Sequence, residues 1–207
     1  MRVGGCCRFD VTAVGSGAGV GCMVEQSAPL RPGSRCEDVG VRVVLLSDTH
    51  APRFWKGLPP AVAEHLAGAD LVLHAGDVCM PSVLDELAAY APVHVVQGNN
   101  DGAAVAAWGA EETWSGVLDG LRVAMIHDAG PKQGRVLRMH HRFPEADLVV
   151  FGHSHIPLDE SGTFDGRSVR IVNPGSPTDK RRQPFRTLGL LDVADGRVQR
   201  LEIVPLP

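Results

Sequence analysis

The run LVVFGHSHIP (148–157) begins as a strand and closes on two imidazoles one residue apart. Four apolar residues in succession, Leu148 to Phe151, read as a short strand covered on both faces. Alternate residues of an extended chain project to the same side, so His153 and His155 can converge on one point. An isolated His-x-His is more often a pair of loop histidines. What decides is whether other strands end in partners of matching chemistry.

Working outward, VRVVLLS (41–47) is a β-branched and leucine run bounded by Gly40 and the Asp48-Thr49-His50 turn, which predicts a buried strand. PPAVAEHLAGA (59–69) predicts a helix, with proline in its first turn and Gly68 near its end. DLVLHAGD (70–77) is the next strand, PSVLDELAAY (81–90) the next helix and PVHVVQGNND (92–101) the third strand. That β-α-β-α-β order implies parallel strands joined by right-handed crossovers. The second half is richer in strands. ETWSGVLDGLRVAMIHD (112–128) predicts a hairpin turning at Asp119-Gly120, followed by a helix over 132–142 and a strand over 147–155. Two more hairpins follow, over 158–174 and over 186–204, the latter turning at Asp195-Gly196. The expected fold class is α/β, with two mixed sheets packed together and helices outside.

A chain of 207 residues with 44% hydrophobic content fits one globular domain. A net charge of −4 argues against a protein that grips nucleic acid through overall basicity, so no stable nucleic-acid partner is expected. No apolar run reaches the roughly 18 residues of a membrane helix, so no membrane association is expected either. The sequence is compatible with a homo-oligomer. Four of the five cysteines precede residue 40, and neither a disulfide framework nor a Cys/His zinc spacing appears. A reducing, cytoplasmic setting is the simpler reading.

Residues 1–40 hold eight of the 24 glycines, and VTAVGSGAGVG (11–21) is aperiodic. No G-x-G-x-x-G register fits it, because the last position falls on Val20 or Cys22. A secretion signal fits poorly too, since Asp10 and four glycines interrupt the apolar run. The expectation is a dispensable or disordered extension over 1–40, with the folded domain over 41–207. The extension would follow from an over-long choice of start site, Val41 being the true initiator.

In open α/β sheets, ligands bind beyond the carboxyl ends of the strands. Here those ends carry Asp48-Thr49-His50, Gly76-Asp77, Gly98-Asn99-Asn100-Asp101, His127-Asp128 and Gly152-His153-Ser154-His155. Each offers oxygen or imidazole ligands, and none offers a Ser-His or Cys-His nucleophile pair of comparable quality. Mixed imidazole and carboxylate donors suit Mn, Fe, Zn, Ni or Co, whereas Mg or Ca would take oxygen almost alone. Two ions about 3.5–4 Å apart need a shared ligand, and a carboxylate such as Asp77 can bridge. Two divalent ions against Asp48 and Asp77 leave a net positive site, which attracts a phosphoryl group and turns a bridging water into a hydroxide nucleophile. Histidines 65, 94, 140 and 141 fall in helices or mid-strand and are read as packing or surface residues. His74 is intermediate, three residues before Asp77.

This ordered set resembles the calcineurin-like metallophosphoesterases, whose pattern is D-x-H, G-D, G-N, a strand-end H, then G-H-x-H. The motifs SDTH, HAGD, GNND and VNPGS (172–176) are similar to those of the small YfcE-type phosphodiesterase branch, over residues 41–204. The resemblance implies a four-layer αββα sandwich and two divalent metal ions, manganese first. It implies one ion held by Asp48, His50, Asp77 and His155, and the other by Asp77, Asn99, His127 and His153. The implied activity is metal-dependent hydrolysis of a small phosphodiester.

Many members of that family place a histidine after the G-N asparagine, where it protonates the leaving group. Here the position is Asn100, which cannot act as an acid. Asp101 is open between orienting a ligand, supplying a proton and capping the turn before Gly102. Asn100, Asp101 and His74 therefore complete the candidate catalytic set. SPTDKRRQPFR (176–186) carries four basic residues and offers steering of an anionic substrate, though a solvated loop is the commoner fate of such a run. Asn173 ends a strand and is placed to support the site from behind. The competing readings are a non-catalytic assembly scaffold of the same fold and a cyclic-nucleotide phosphodiesterase.

Overall fold

The computed structural model describes residues 40–207, and the expectations for the preceding segment lie outside the described residues. Two five-stranded sheets face each other. The first has the order β10-β9-β1-β2-β3, built from β1 (Val41–Leu46), β2 (Leu71–His74), β3 (Val93–Val95), β9 (Arg186–Ala194) and β10 (Arg197–Leu206). The second has the order β4-β5-β6-β8-β7, from β4 (Thr113–Leu118), β5 (Leu121–Ile126), β6 (Leu148–Val150), β7 (Leu158–Phe164) and β8 (Arg167–Asn173). Both are mixed. β1, β2 and β3 run parallel while β9 is antiparallel to β1, and β5, β6 and β8 run parallel between two antiparallel edges. The helices α1 (Pro60–Leu66), α2 (Pro81–Ala88), α3 (Ala103–Trp108) and α4 (Arg135–Arg142) occupy the outer faces. This is the expected four-layer αββα sandwich.

The unbroken apolar runs follow from burial on both faces of the central strands. On β1, Val43 and Leu45 point between the sheets, toward Val123, Met125, Leu148 and Val150. Val44 and Leu46 point the other way, against Val62 and Leu66 of α1 and Val83, Leu84 and Leu87 of α2. β6 repeats the arrangement, with Leu148 and Val150 inward and Val149 facing Met139 of α4. β1 and β6 are the middle strands of their sheets, and apart from the exposed Arg42 every residue of both is buried.

All three hairpins turn on Asp-Gly with both φ angles positive, as two-residue turns require: 42° and 86° at 119–120, 51° and 78° at 165–166, 52° and 70° at 195–196. The first and third of these tips meet across the sheets, far from the site. There the Gly196 amide donates to the Asp119 carbonyl at 2.7 Å, and the Asp195 amide to Asp119 Oδ2 at 2.9 Å.

The structure departs from the sequence expectation in details. β3 is three residues long, extended by a single bridge between Val96 and Glu111, because the glycine and asparagines after it form a loop. α3 is unanticipated. Its sequence AAVAAW has helix propensity but only one buried residue, Val105, and so shows no amphipathic stripe. α4 starts at Arg135 after Gly134, whose φ of 68° terminates the preceding turn. No helix among the described residues is long and apolar enough to cross a membrane.

The layering makes a stability prediction. Leu191→Ala, in the fully buried sheet–sheet layer, is expected to lower unfolding free energy by about 2–5 kcal/mol in urea titrations. Leu137→Ala, on the exposed side of α4, should cost about 0.5 kcal/mol or less.

Candidate metal centre

The carboxyl ends of β1, β2 and β3 meet those of β5 and β6 at one end of the sandwich, and lone-pair atoms converge there. Around one point stand Asp48, His50 and His155. His50 Nε2 lies 3.1 Å from His155 Nε2, and His155 Nε2 lies 3.3 Å from Asp48 Oδ1. Around a second point, His127 Nε2 is 3.5 Å from Asp77 Oδ2 and 3.1 Å from Asn99 Oδ1, and Asn99 Oδ1 is 2.9 Å from His153 Nδ1. Asp77 Oδ2 sits between the two, 3.6 Å from His50 Nε2 and 3.5 Å from His127 Nε2. Asp48 also falls within reach of Asp77 and His127, which the sequence motifs do not indicate.

The outer nitrogens of two rings fix which atoms face inward. His127 Nδ1 donates to the Ala75 carbonyl at 2.7 Å and His155 Nδ1 to the Asp179 carbonyl at 2.6 Å. Carbonyls only accept, so each Nδ1 carries the proton and each Nε2 turns its lone pair inward. Both Asp48 oxygens are buried without a hydrogen-bond donor among the described residues. Electron-rich atoms thus crowd around both points, and a bound cation at each would satisfy them. The donor set fits two borderline divalent ions.

Without an ion, protons are the substitute cations. Burial would lower the pKa of His127, but the Asp77 carboxylate and the Ala75 carbonyl outweigh it and the pKa rises. Burial likewise opposes, and Asp48 outweighs, at His155. Burial would raise Asp77, yet hydrogen bonds from His127 and Asn100 hold it well below the usual carboxylate range. At His50 burial wins and the pKa falls.

Local backbone geometry makes the convergence feasible. Asp48, His50, Asp77, His153 and His155 all lie in the left-handed region, with φ between 49° and 66°. Two motif glycines are present for room. A Cβ on Gly98 would stand 2.3 Å from the Asp77 amide nitrogen, and one on Gly152 would stand 2.8 Å from Ser47 Cβ and 2.9 Å from Asp48 Oδ2.

The remaining candidates sit just behind this centre. Asn100 grips Asp77 twice, through its amide to Oδ1 at 2.8 Å and its side chain to Oδ2 at 2.7 Å. Asp101 accepts from the amides of Asp77, Gly98 and Cys79 at 2.9, 2.8 and 2.6 Å, so both its oxygens tie loops together. His74 is fully buried, with Nε2 3.2 Å from Thr49 Oγ1, and burial pushes its pKa down to about 4. Asn173 holds the Gly152 carbonyl at 2.7 Å. Histidines 65, 94, 140 and 141 lie elsewhere, His94 stacked on Trp114 and His140 against Phe164.

Sequence reasoning missed a set of small hydroxyls. Ser47 Oγ donates to the Gly175 carbonyl, Ser176 Oγ to the Asp48 carbonyl and Thr178 Oγ1 to the Thr49 carbonyl, at 2.7 to 2.9 Å. They stitch the SDTH loop to the VNPGS loop across the two sheets. The only cue was a cluster of small polar residues after a buried strand.

A family model described as the calcineurin-like phosphoesterase superfamily domain matches residues 41–196. A probable metallophosphoesterase of Methanothermobacter thermautotrophicus is 34% identical over 141 residues, 66% of this chain and 77% of its own. A second, from Methanocaldococcus jannaschii, is 31% identical over 154 residues, 73% of this chain and 75% of its own. Among solved structures, a Vps29 variant from Entamoeba histolytica superposes with a TM-score of 0.62 at 23% identity, covering 81% of this chain and all of that one.

Two predictions follow from the geometry. Asp101→Ala removes the acceptor for three amides and is expected to weaken Mn²⁺ binding about 10–100-fold in calorimetric titration. His74 is neutral in the fold with a pKa of about 4 against 6.5 unfolded, so the unfolded chain takes up the proton first as pH falls. Its contribution is intact above pH 6.5 and is lost between there and pH 4, about 3 kcal/mol in all. In metal-free protein, His74→Gln should flatten the fall of unfolding free energy over that window.

Proposed function

The chain belongs to the calcineurin-like phosphoesterase superfamily, and we propose that it is a dinuclear metal-dependent phosphodiesterase acting on small phosphodiesters. The observation that carries this reading is the pair of lone-pair cradles joined at Asp77 Oδ2. In it, Asp48, His50, Asp77 and His155 would hold one ion, and Asp77, Asn99, His127 and His153 would hold the other. When bound, two divalent ions, manganese first among Mn, Fe, Zn, Ni and Co, would supply Lewis acidity and lower the pKa of water toward neutrality.

The protein's own residues set the rest. Asn100 orients the shared carboxylate by holding both its oxygens. The Ala75 and Asp179 carbonyls fix the proton of His127 and His155 on the far side of each ring, leaving the inner nitrogens free to ligate. Asp101 cannot act readily on a leaving group, because its oxygens are taken by backbone amides. With Asn100 at the position where an acid would stand, the departing oxygen leaves without a proton from that loop. Esters of acidic alcohols, whose anions leave unaided, are the preferred substrates.

Two measurements test the proposal. Chelator-stripped protein titrated with Mn²⁺ should gain hydrolysis of bis(p-nitrophenyl) phosphate, and Asp77→Ala should not. Absence of turnover with Mn²⁺, Zn²⁺, Ni²⁺ or Fe²⁺ in folded protein would move the reading to an assembly scaffold. Installing the missing acid as Asn100→His should raise the rate on alkyl diesters far more than on p-nitrophenyl diesters. The ceiling is the ~10²–10⁴-fold that general acid catalysis provides. A uniform effect on both would refute the account of the leaving group.

A further inference from the structure

Beside the Asp48–His50–His155 cradle lies a cavity of about 310 Å³, and His50 forms part of its wall. That volume is at the lower end of the range for small-molecule sites, roughly 300–1,000 Å³. It suits one ring-bearing substituent and not a macromolecule. The other walls include Arg53, Phe54, Asn100, Asp179 and Arg181.

Arg53 and Phe54 form a platform. The guanidinium carbon stands 5.0 Å over the Phe54 ring, and that ring stands edge-on to His50, with centroids 6.4 Å apart. Phe54 remains 38% exposed. Among the described residues Arg53 has no hydrogen-bond acceptor and no carboxylate partner, so its donors are unused by the fold. Arg181 stands on the other wall, and its nearest carboxylate, Asp179, is 3.9 Å away. On this side of the cavity two guanidiniums stand against one carboxylate, and the Asp48 and Asp77 charges lie at its far, metal-centre end. The same Arg53–Phe54 pair also lines a second cavity of about 250 Å³, so it is a ridge between two hollows and not a packed part of the core.

Taking metal-dependent phosphoester hydrolysis as the premise, we propose that this cavity receives a nucleotide portion of the substrate, its base against the Arg53–Phe54 platform and a second phosphate met by Arg53 and Arg181. Bases stack on guanidinium planes and on aromatic rings alike, and stacking tolerates any base because each has a π-face. Arginine adds a fork of donors that matches phosphate oxygens. The position next to His50 puts such a substituent within one bond system of a phosphorus held at the ions.

Calorimetric titration of the manganese-loaded protein with AMP, ribose 5-phosphate and ADP tests this. AMP and ribose 5-phosphate differ only in the base, and AMP should bind about tenfold tighter or more. Phe54→Ala should remove that margin and Phe54→Trp should keep it, while Arg53→Gln should remove the advantage of ADP over AMP. Equal binding of AMP and ribose 5-phosphate overturns the inference, as does a base preference untouched by Phe54→Ala. Hydrolysis of bis(p-nitrophenyl) phosphate by the same preparation reports on the premise separately. Turnover without base preference rejects the nucleotide pocket alone, and base preference without turnover rejects the hydrolase reading while supporting the pocket.

Discussion

Two imidazole nitrogens 3.1 Å apart, beside a buried carboxylate that no hydrogen-bond donor satisfies, crowd electron-rich atoms around one point and call for positive charge there. That electrostatic demand organises one whole end of the molecule. It explains why the rings of His127 and His155 are anchored from behind by carbonyls, since only then are their inner nitrogens committed as donors to a cation. It also explains why Asn100 and Asp101 spend their polar atoms on the loops of the centre. The first immobilises the shared carboxylate and the second immobilises the loops that carry it.

The same demand is met at a conformational cost. Five side chains of the centre stand on left-handed backbone, each about 1–3 kcal/mol above the ordinary basins. Strain of that kind persists only where the surroundings over-determine it. Here they do so through the doubly buried strands β1 and β6, through room made by Gly98 and Gly152, and through hydroxyls that hold carbonyls of the strained loops. The most apolar strands therefore end in the most polar loops for a reason. A loop held in an unfavourable conformation needs a strand that cannot shift beneath it.

Much of this was legible in the sequence, and the reason is geometric. Apolar runs such as VRVVLLS bounded by turn residues favour strands covered on both sides, Asp-Gly pairs between two such runs favour tight turns, and ligand-type residues at successive strand ends are brought together once the strands are parallel. What was not legible depends on distances that no spacing encodes. Asp48 reaching toward Asp77 and His127 is set by the gap between sheets, not by its own motif. Ser47, Ser176 and Thr178 are ordinary small residues until the fold brings the carbonyls of 48, 49 and 175 to them. The reading of Asp101 stayed open because a carboxylate that caps amides and one that faces a ligand look alike in a string of letters. α3 was missed because alanine carries helical propensity without an apolar stripe.

The stitching of the sandwich at both ends, by hydroxyls under the centre and by the Asp119–Gly196 contact at the opposite tips, divides the chain into two classes of position. Changes to the frame alter the spacing of the ligands and the stability together. Changes to the rim, at exposed side chains such as Phe54, touch neither, and surface substitutions of this sort usually move stability by about 0.5 kcal/mol or less. A lineage built on this plan can drift in what it recognises while its chemistry stays put. An engineer seeking a new specificity has the same freedom, confined to a few side chains on one loop and its neighbour.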